Sequence, residues 1–241
     1  MSTSIKGRYV TLESIVPAHI PLLFKSLGFP ENNQMLDWIN GFPYIYTEDD
    51  LSNHIFRYLR DHPDLTIYAI KACESHLGPP SPPNVHPHTD VLGICGYRLY
   101  PQSRTIRLDD LLFSPRLQRT YASTEASYLL LRHLFEEQPI AYSRVSVTSN
   151  SLNVQSRQYQ ERMGYKYEGT FRKDNITRWG TPRDTVCSSM LDDEWPSNKS
   201  ALLAFLRTAN FDSNGKQIRS LRELRTLQTE CLEHALVKSY P

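Results

Sequence analysis

The stretch SPRLQRTYASTEASYLLL, Ser114 to Leu131, joins a strand-like run (Thr105 to Phe113) to a helical one. The helix is expected from about Ser123 to Glu137, because Ala126, Leu129, Leu130 and Leu134 fall on one face at helical spacing. A strand, a short turn and a helix start are therefore placed in series. The first backbone N–H groups of such a helix have no partner within it, and the macrodipole there favours an anion. Arg116 and Arg119, in the turn, can add charge-assisted bonds to phosphate oxygens. Any anion site has to be built locally in this way. The 241 residues carry 27 Lys plus Arg against 26 Asp plus Glu, a net charge of +1 that draws the chain to neither nucleic acid nor an anionic membrane.

Working outward, a strand is expected at Arg8 to Leu12. A helix follows Pro17, with Ile20, Leu23, Phe24 and Leu27 on one side and Gly28 as its stop. A short amphipathic helix follows Asp49, Asp50 and Ser52. Two runs rich in β-branched and aromatic residues, Leu65 to Ala72 and Val91 to Tyr100, read as strands. Beyond the long helix, a strand at Ser143 to Ser149 precedes a helix at Asn153 to Met163, ended by Gly164. Tyr165 to Phe171 and Asp184 to Leu191 read as the last two strands. Hairpins imply antiparallel pairs, and a strand–helix–strand passage implies a parallel one. The expected fold class is α+β: a mixed, mostly antiparallel sheet with helices on both faces. After Trp195-Pro196 the pattern turns helical, at Lys199 to Leu206 and Leu221 to Leu236. The expected division is a domain over 1–196 and a helical extension over 197–241. The stripe Leu221, Leu224, Leu227, Cys231 and Ala235 suits packing on the domain or a dimer contact.

The Pro- and His-rich segment Glu74 to Asp90 reads as a flexible hairpin loop. His76, His86 and His88 in it lack an acidic or thiol partner at fixed spacing, so no metal is expected. Cys73, Cys95, Cys187 and Cys231 form no C-x-x-C pair, which suits reduced thiols in a cytoplasmic protein. The start MSTSIKGRYVTLES has no apolar signal core, and no apolar run reaches membrane-spanning length. Met35 to Tyr46 is aromatic and irregular. It reads equally as a loop folded on the core or as the wall of a substrate groove, with Trp38, Tyr44 and Tyr46 as its substrate-binding candidates.

Three ordered blocks resemble the GNAT N-acetyltransferases, in the branch of the ribosomal-protein N-acetyltransferases. The first is Leu117 to Leu131, similar to that branch's L-Q-R-T-x-A-x-T-E-A followed by a Leu-rich helix. The second is Asn153-x-x-Ser156-Arg157 with Met163-Gly164-Tyr165-x-x-Glu168-Gly169-x-Phe171-Arg172. The third runs from Arg183-Asp184-Thr185 to Asp193-Glu194-Trp195-Pro196. The resemblance spans roughly Gly7 to Pro196, and related sequences continue into a segment like Ala209 to Asp212. It implies the GNAT fold and acetyl-CoA as co-substrate, with no metal. It also implies transfer of the acetyl group to a primary amine of a small molecule or a protein N-terminus. The chain would act as a monomer or homodimer, with no nucleic-acid or membrane partner.

The resemblance further implies cofactor contacts from Leu112, Phe113, Gln118, Arg119, Thr120, Tyr121, Ala122, Ser123, Asn153 and Ser156. Gln118 opens the pyrophosphate-loop pattern, but Tyr121 and Ser123 stand where the family has small residues, usually glycine. A larger residue there is tolerable if its φ is helical and its side chain points away. Ser156 matches the serine near the coenzyme sulfur, and Asn153 the asparagine on the pantetheine arm. Many GNAT enzymes use a tyrosine at the position of Gln160; Tyr159 is adjacent but on another helix face. The strand before Ser114 carries Arg107 where a glutamate often stands, so Asp109, two residues on, is the expected catalytic base, directly or through water. Its alternative role is an ion pair with Arg107 or Arg104, and Asp110 faces the opposite side unless a bulge re-aims it. A catalytically silent coenzyme A-binding scaffold is the second reading of the missing glutamate and glycines.

Overall fold

In the computed structural model, residues 4–39, 41–73, 90–212 and 216–227 are described. Eight strands form one sheet: β1 (Ser4–Lys6), β2 (Val10–Ser14), β3 (Leu65–Ala72), β4 (Val91–Tyr100), β5 (Thr105–Phe113), β6 (Arg144–Asn150), β7 (Lys166–Ile176) and β8 (Pro182–Leu191). Their order is β1-β2-β3-β4-β5-β6-β8-β7. Every adjacent pair is antiparallel except β5–β6. That one parallel pair is joined by the long helix, as a crossover connection requires.

The helices are α1 (Ile20–Leu27), α2 (Glu48–Asp61), α3 (Tyr121–Glu136), α4 (Val154–Met163) and α5 (Trp195–Leu206). They cover both faces of the sheet and build two cores. On one face Leu23 and Leu27 of α1 and Leu51 and Ile55 of α2 pack on Ile67 and Ile94. On the other, Leu129, Leu130 and Leu134 of α3, Met163 of α4 and Leu202 and Phe205 of α5 pack on Tyr97, Leu108 and Val145. Leu221 and Leu224, in the helical stretch 221–227, join this second core. Leu227 of the same stripe is exposed, and its Cys231 and Ala235 lie outside the described residues, as do His76, His86 and His88.

Local signals set most boundaries. Gly28 ends α1 with φ +75, in the left-handed region that glycine enters without a Cβ clash. Thr47 caps α2 by accepting from the Asp50 N–H, and the Asp50 carboxylate accepts from the Thr47 N–H. Several boundaries differ from the sequence expectation, among them β7, which runs on to Ile176, and β8, which starts at Pro182. The hairpin strand β1 is additional, because only Ile5 of its three residues is buried and no periodicity is visible at that length. The next strand runs over Val10–Ser14 rather than Arg8–Leu12. The helix α3 begins two residues before Ser123, capped by Thr120. The helix expected from Lys199 begins at Trp195, since Pro196 sits in its first turn, where a missing N–H costs nothing.

A bulge interrupts the pairing of β5 with β4: Ile94 faces Leu112, whereas Gly96 faces Asp109. Asp110 and Leu111 together stand opposite Cys95, and Asp110 takes a left-handed φ of +46. The backbones approach so closely there that a Cβ on Gly93 would stand 2.3 Å from the Leu112 carbonyl oxygen. Gly93→Ala should therefore cost about 2 kcal/mol of stability by forcing β4 and β5 apart. Urea denaturation measures this, and an unchanged midpoint would show that the bulge yields freely.

Candidate active site

The parallel pair β5–β6 is short. Thr105, Ile106 and Arg107 pair with Arg144, Val145 and Ser146, and beyond them the strands part. The edge of β5 that faces β6 is then without a strand partner over its second half. A cavity of about 860 Å³ occupies this opening, a size that suits a bound cofactor. Its walls are Leu111, Leu112 and Phe113 of β5, Val147 of β6, the first turn of α3 and one side of α4. Of the ten residues expected to contact cofactor, all but Ala122 line it; Ala122 is buried in the core behind.

At one end lies the start of α3. Thr120 accepts from the Ser123 N–H at 3.2 Å and donates its hydroxyl to the Leu117 carbonyl. Arg119 precedes it with φ +60, so the left-handed residue of this loop is an arginine rather than a glycine. Tyr121 is the first helical residue, and its ring packs 4.2 Å from Phe211 and 5.9 Å from Phe205, centroid to centroid. The missing glycine is thus accommodated by a helical φ and a side chain aimed into the C-terminal segment. Arg119 lines the cavity, whereas Arg116 pairs with Asp90 at 3.0 Å.

At the other end, Asn153 caps α4 by accepting from the Ser156 N–H at 3.0 Å. The Ser156 hydroxyl oxygen accepts from Gln160 Nε2 at 3.2 Å. Ser156 lines the cavity, and its hydroxyl keeps a hydrogen to donate. Gln160 is buried and its Oε1 has no hydrogen-bond partner among the described residues. Tyr159 also lines the cavity. Its hydroxyl contacts Ser127 Oγ, and burial pushes it up to about 12. A phenol that reluctant to ionise is a poorly matched proton acceptor near neutrality.

The acidic pair at the bulge divides. Asp109 meets Arg98 Nε at 2.5 Å and Arg107 at 3.3 Å, and it does not line the cavity. Arg98, itself buried, also donates to the Tyr58 hydroxyl of α2 at 2.7 Å. Spacing along the chain points to Arg107 or Arg104 as the partner; Arg98 escapes it because it comes from the neighbouring strand. The Asp110 carboxyl is raised to about 6, by burial first and then by the Asp109 charge. Asp110 does not line the cavity either, but it immediately precedes Leu111, which does.

Of the aromatic loop, Trp38 lines the cavity together with Met35 and Ile39. Tyr44 and Tyr46 do not. Tyr44 donates to Asp37 at 2.7 Å, with Arg178 stacked 4.2 Å over its ring, and Tyr46 is largely exposed. Arg178, from the turn between β7 and β8, also donates to the Phe42 and Leu36 carbonyls. This tie pins the loop beside the cavity mouth, and a sequence separation of 136 residues hides it.

No protein-family model and no curated protein matches the sequence. Solved structures do. The chain is similar to a GCN5-related N-acetyltransferase from Brucella melitensis, at 28% identity over 93% of this chain and 94% of that one, with a TM-score of 0.80. It is similar to a putative acetyltransferase from T. thermophilus, at 29% identity over 86% and 98%, with a TM-score of 0.69. It also shares its fold with a ribosomal L7/L12 alpha-N-protein acetyltransferase in complex with coenzyme A, at 13% identity over 78% and 98%, with a TM-score of 0.61. The parted strands, the α3 cradle and these neighbours together give one conclusion: the chain has the GNAT acetyltransferase fold.

Proposed function

We propose that this protein is an acetyl-CoA-dependent N-acetyltransferase acting on a primary amine of a small molecule or a protein N-terminus. One observation carries the reading: a single cavity runs from the start of α3, suited to phosphate, through the opening between β5 and β6 to Ser156. In this reading the acyltransferase domain covers residues 1–196 and the rest of the chain extends it, with α5 spanning that boundary and packing in the domain's core. The acceptor enters on the side of Trp38, Met35 and Ile39. The amine nitrogen attacks the thioester carbonyl, the N–C bond forms and the C–S bond breaks. Backbone N–H groups on the open edge of β5 receive the developing oxyanion. Ser156 donates a proton to the leaving thiolate and regains one from solvent.

The base in this scheme is Asp110, acting through water. Asp109 has its carboxylate engaged by two guanidinium groups, whereas Asp110 loses its proton near the working pH. A base works deprotonated, so turnover should rise with pH through about 6 and level above it. Asp110→Asn should lower turnover roughly tenfold at pH 7 and abolish that rise. The same carboxyl, raised from its ordinary 3.8, contributes stability that is fully present below about pH 4 and lost as pH climbs through about 6. The asparagine variant should therefore lose less stability across that interval. A pH–rate profile of the variant that still rises through 6 would assign the proton to another group.

Calorimetry with acetyl-CoA, followed by thiol release over a panel of amines, tests the reading itself. No binding at millimolar acetyl-CoA would remove it. Binding without turnover across the panel would favour a silent coenzyme A-binding scaffold, which the Arg98–Asp109 pair, by sealing that carboxylate, supports.

A further inference from the structure

Among the described residues, the cavity wall carries two guanidinium groups, Arg119 and Arg162, and no carboxylate. Arg119 stands at the α3 cradle. Arg162 comes from α4, six residues and therefore about 9 Å along the helix axis from Ser156. It donates from Nη2 to Thr124 Oγ1 at 2.8 Å, one turn into α3, and lies 5.3 Å over the Phe205 ring of α5. Burial pulls its guanidinium below the ordinary arginine value. The residue as a whole stays exposed, so a ligand can reach this guanidinium, and no carboxylate on the described wall competes for it.

The C-terminal segment builds this placement. Phe205 supplies the face under the guanidinium. Arg225 donates from Nη2 to the Arg162 carbonyl oxygen at 2.8 Å and from Nε to Asn198 Oδ1 at 2.7 Å, tying 221–227 to the end of α4. Gln217 completes the wall beside them.

We propose that Arg162, held in the cavity by the C-terminal extension, binds the ribose 3′-phosphate of coenzyme A and makes the protein selective for coenzyme A over its 3′-dephospho form. This rests on the reading of the cavity as a coenzyme A site. Coenzyme A carries a diphosphate and a separate 3′-phosphate. The α3 N-terminus and Arg119 take the diphosphate, and Arg162 is the remaining cation of the described wall. Its guanidinium keeps free N–H groups beyond the one given to Thr124, in the planar fork that suits phosphate.

Calorimetry of the full chain with coenzyme A and with 3′-dephospho-coenzyme A provides the test. The native protein should bind coenzyme A roughly 10- to 100-fold more tightly, the worth of one or two charge-assisted bonds. Arg162→Gln, which keeps a donor for Thr124, should bind both at the native protein's dephospho-coenzyme A affinity. Arg162→Lys should keep part of the preference. Thermal melting of each variant checks that the fold is intact, and the ratio of the two affinities is read within one protein, so it stands even if a variant is less stable. The inference is overturned if Arg162→Gln weakens both ligands alike, if it keeps the native ratio, or if the native protein shows no preference. Failure of the native protein to bind either ligand would overturn the acyltransferase reading, and this inference with it.

Discussion

Ser156→Ala is expected to lower kcat about 100-fold while leaving the affinity for acetyl-CoA within about threefold, as loss of a general acid does. The reason lies in what Ser156 touches. Its N–H is donated to Asn153 and its hydroxyl oxygen accepts from Gln160, while its hydroxyl hydrogen is available as a donor to a ligand. In the bound ground state that hydrogen has only a thioester sulfur to meet, a weak acceptor. As the C–S bond breaks, the sulfur gains charge and the same contact becomes a charge-assisted one. The interaction therefore strengthens in the transition state, and its removal falls on kcat rather than on binding. Alanine is the best helix former and Asn153 still caps the backbone, so α4 should stay folded. Thiol release under saturating acetyl-CoA measures the rate and calorimetry the affinity. An unchanged rate would remove Ser156 from the mechanism, and a parallel loss of affinity would make it a binding residue.

Glu125→Ala is expected to destabilise the protein by about 4 kcal/mol and to lower its melting temperature by roughly 10 °C. Glu125 is buried on α3. Its carboxylate accepts three backbone N–H groups from the turn between β1 and β2: Arg8 at 2.8 Å, Tyr9 at 2.6 Å and Val10 at 2.9 Å. A Cβ on Gly7 would stand 2.6 Å from one of its oxygens, so the turn closes directly over the carboxylate. Alanine would leave three donors unmet, each costing about 1–3 kcal/mol where water cannot enter. Glu125→Gln keeps one acceptor oxygen and should lose about half as much. Urea denaturation followed by circular dichroism gives both values. A loss under about 1 kcal/mol for the alanine variant would mean that the turn simply opens to solvent.

Glu125 also marks where sequence reading stops. It stands inside the motif that decided the fold, yet its partners lie 115 to 117 residues away and nothing in its neighbourhood names them. The Arg98–Asp109 pair is hidden in the same way, by a strand pairing rather than by chain proximity. Asp110 depends on a bulge. Alternation along β5 puts it on the far side, and only the mismatch against Gly93 to Gly96 shows the extra residue.

What the sequence by itself determined is what depends on neighbours along the chain. The Asn153 cap, the glycine stop of α1, the apolar stripe of α3 and the strand–turn–helix of the cradle are set by side chains a few residues apart, and they are legible as such. So is the resemblance they carry. What only the tertiary structure decided is which groups meet across the sheet: the parting of β5 from β6, the arginines pairing with Asp109 beside a buried Asp110, and the C-terminal segment closing on Tyr121 and Arg162. Those contacts are chosen by the packing of two cores on one twisted sheet. Their energies depend on burial and distance in space, which spacing along the chain does not encode.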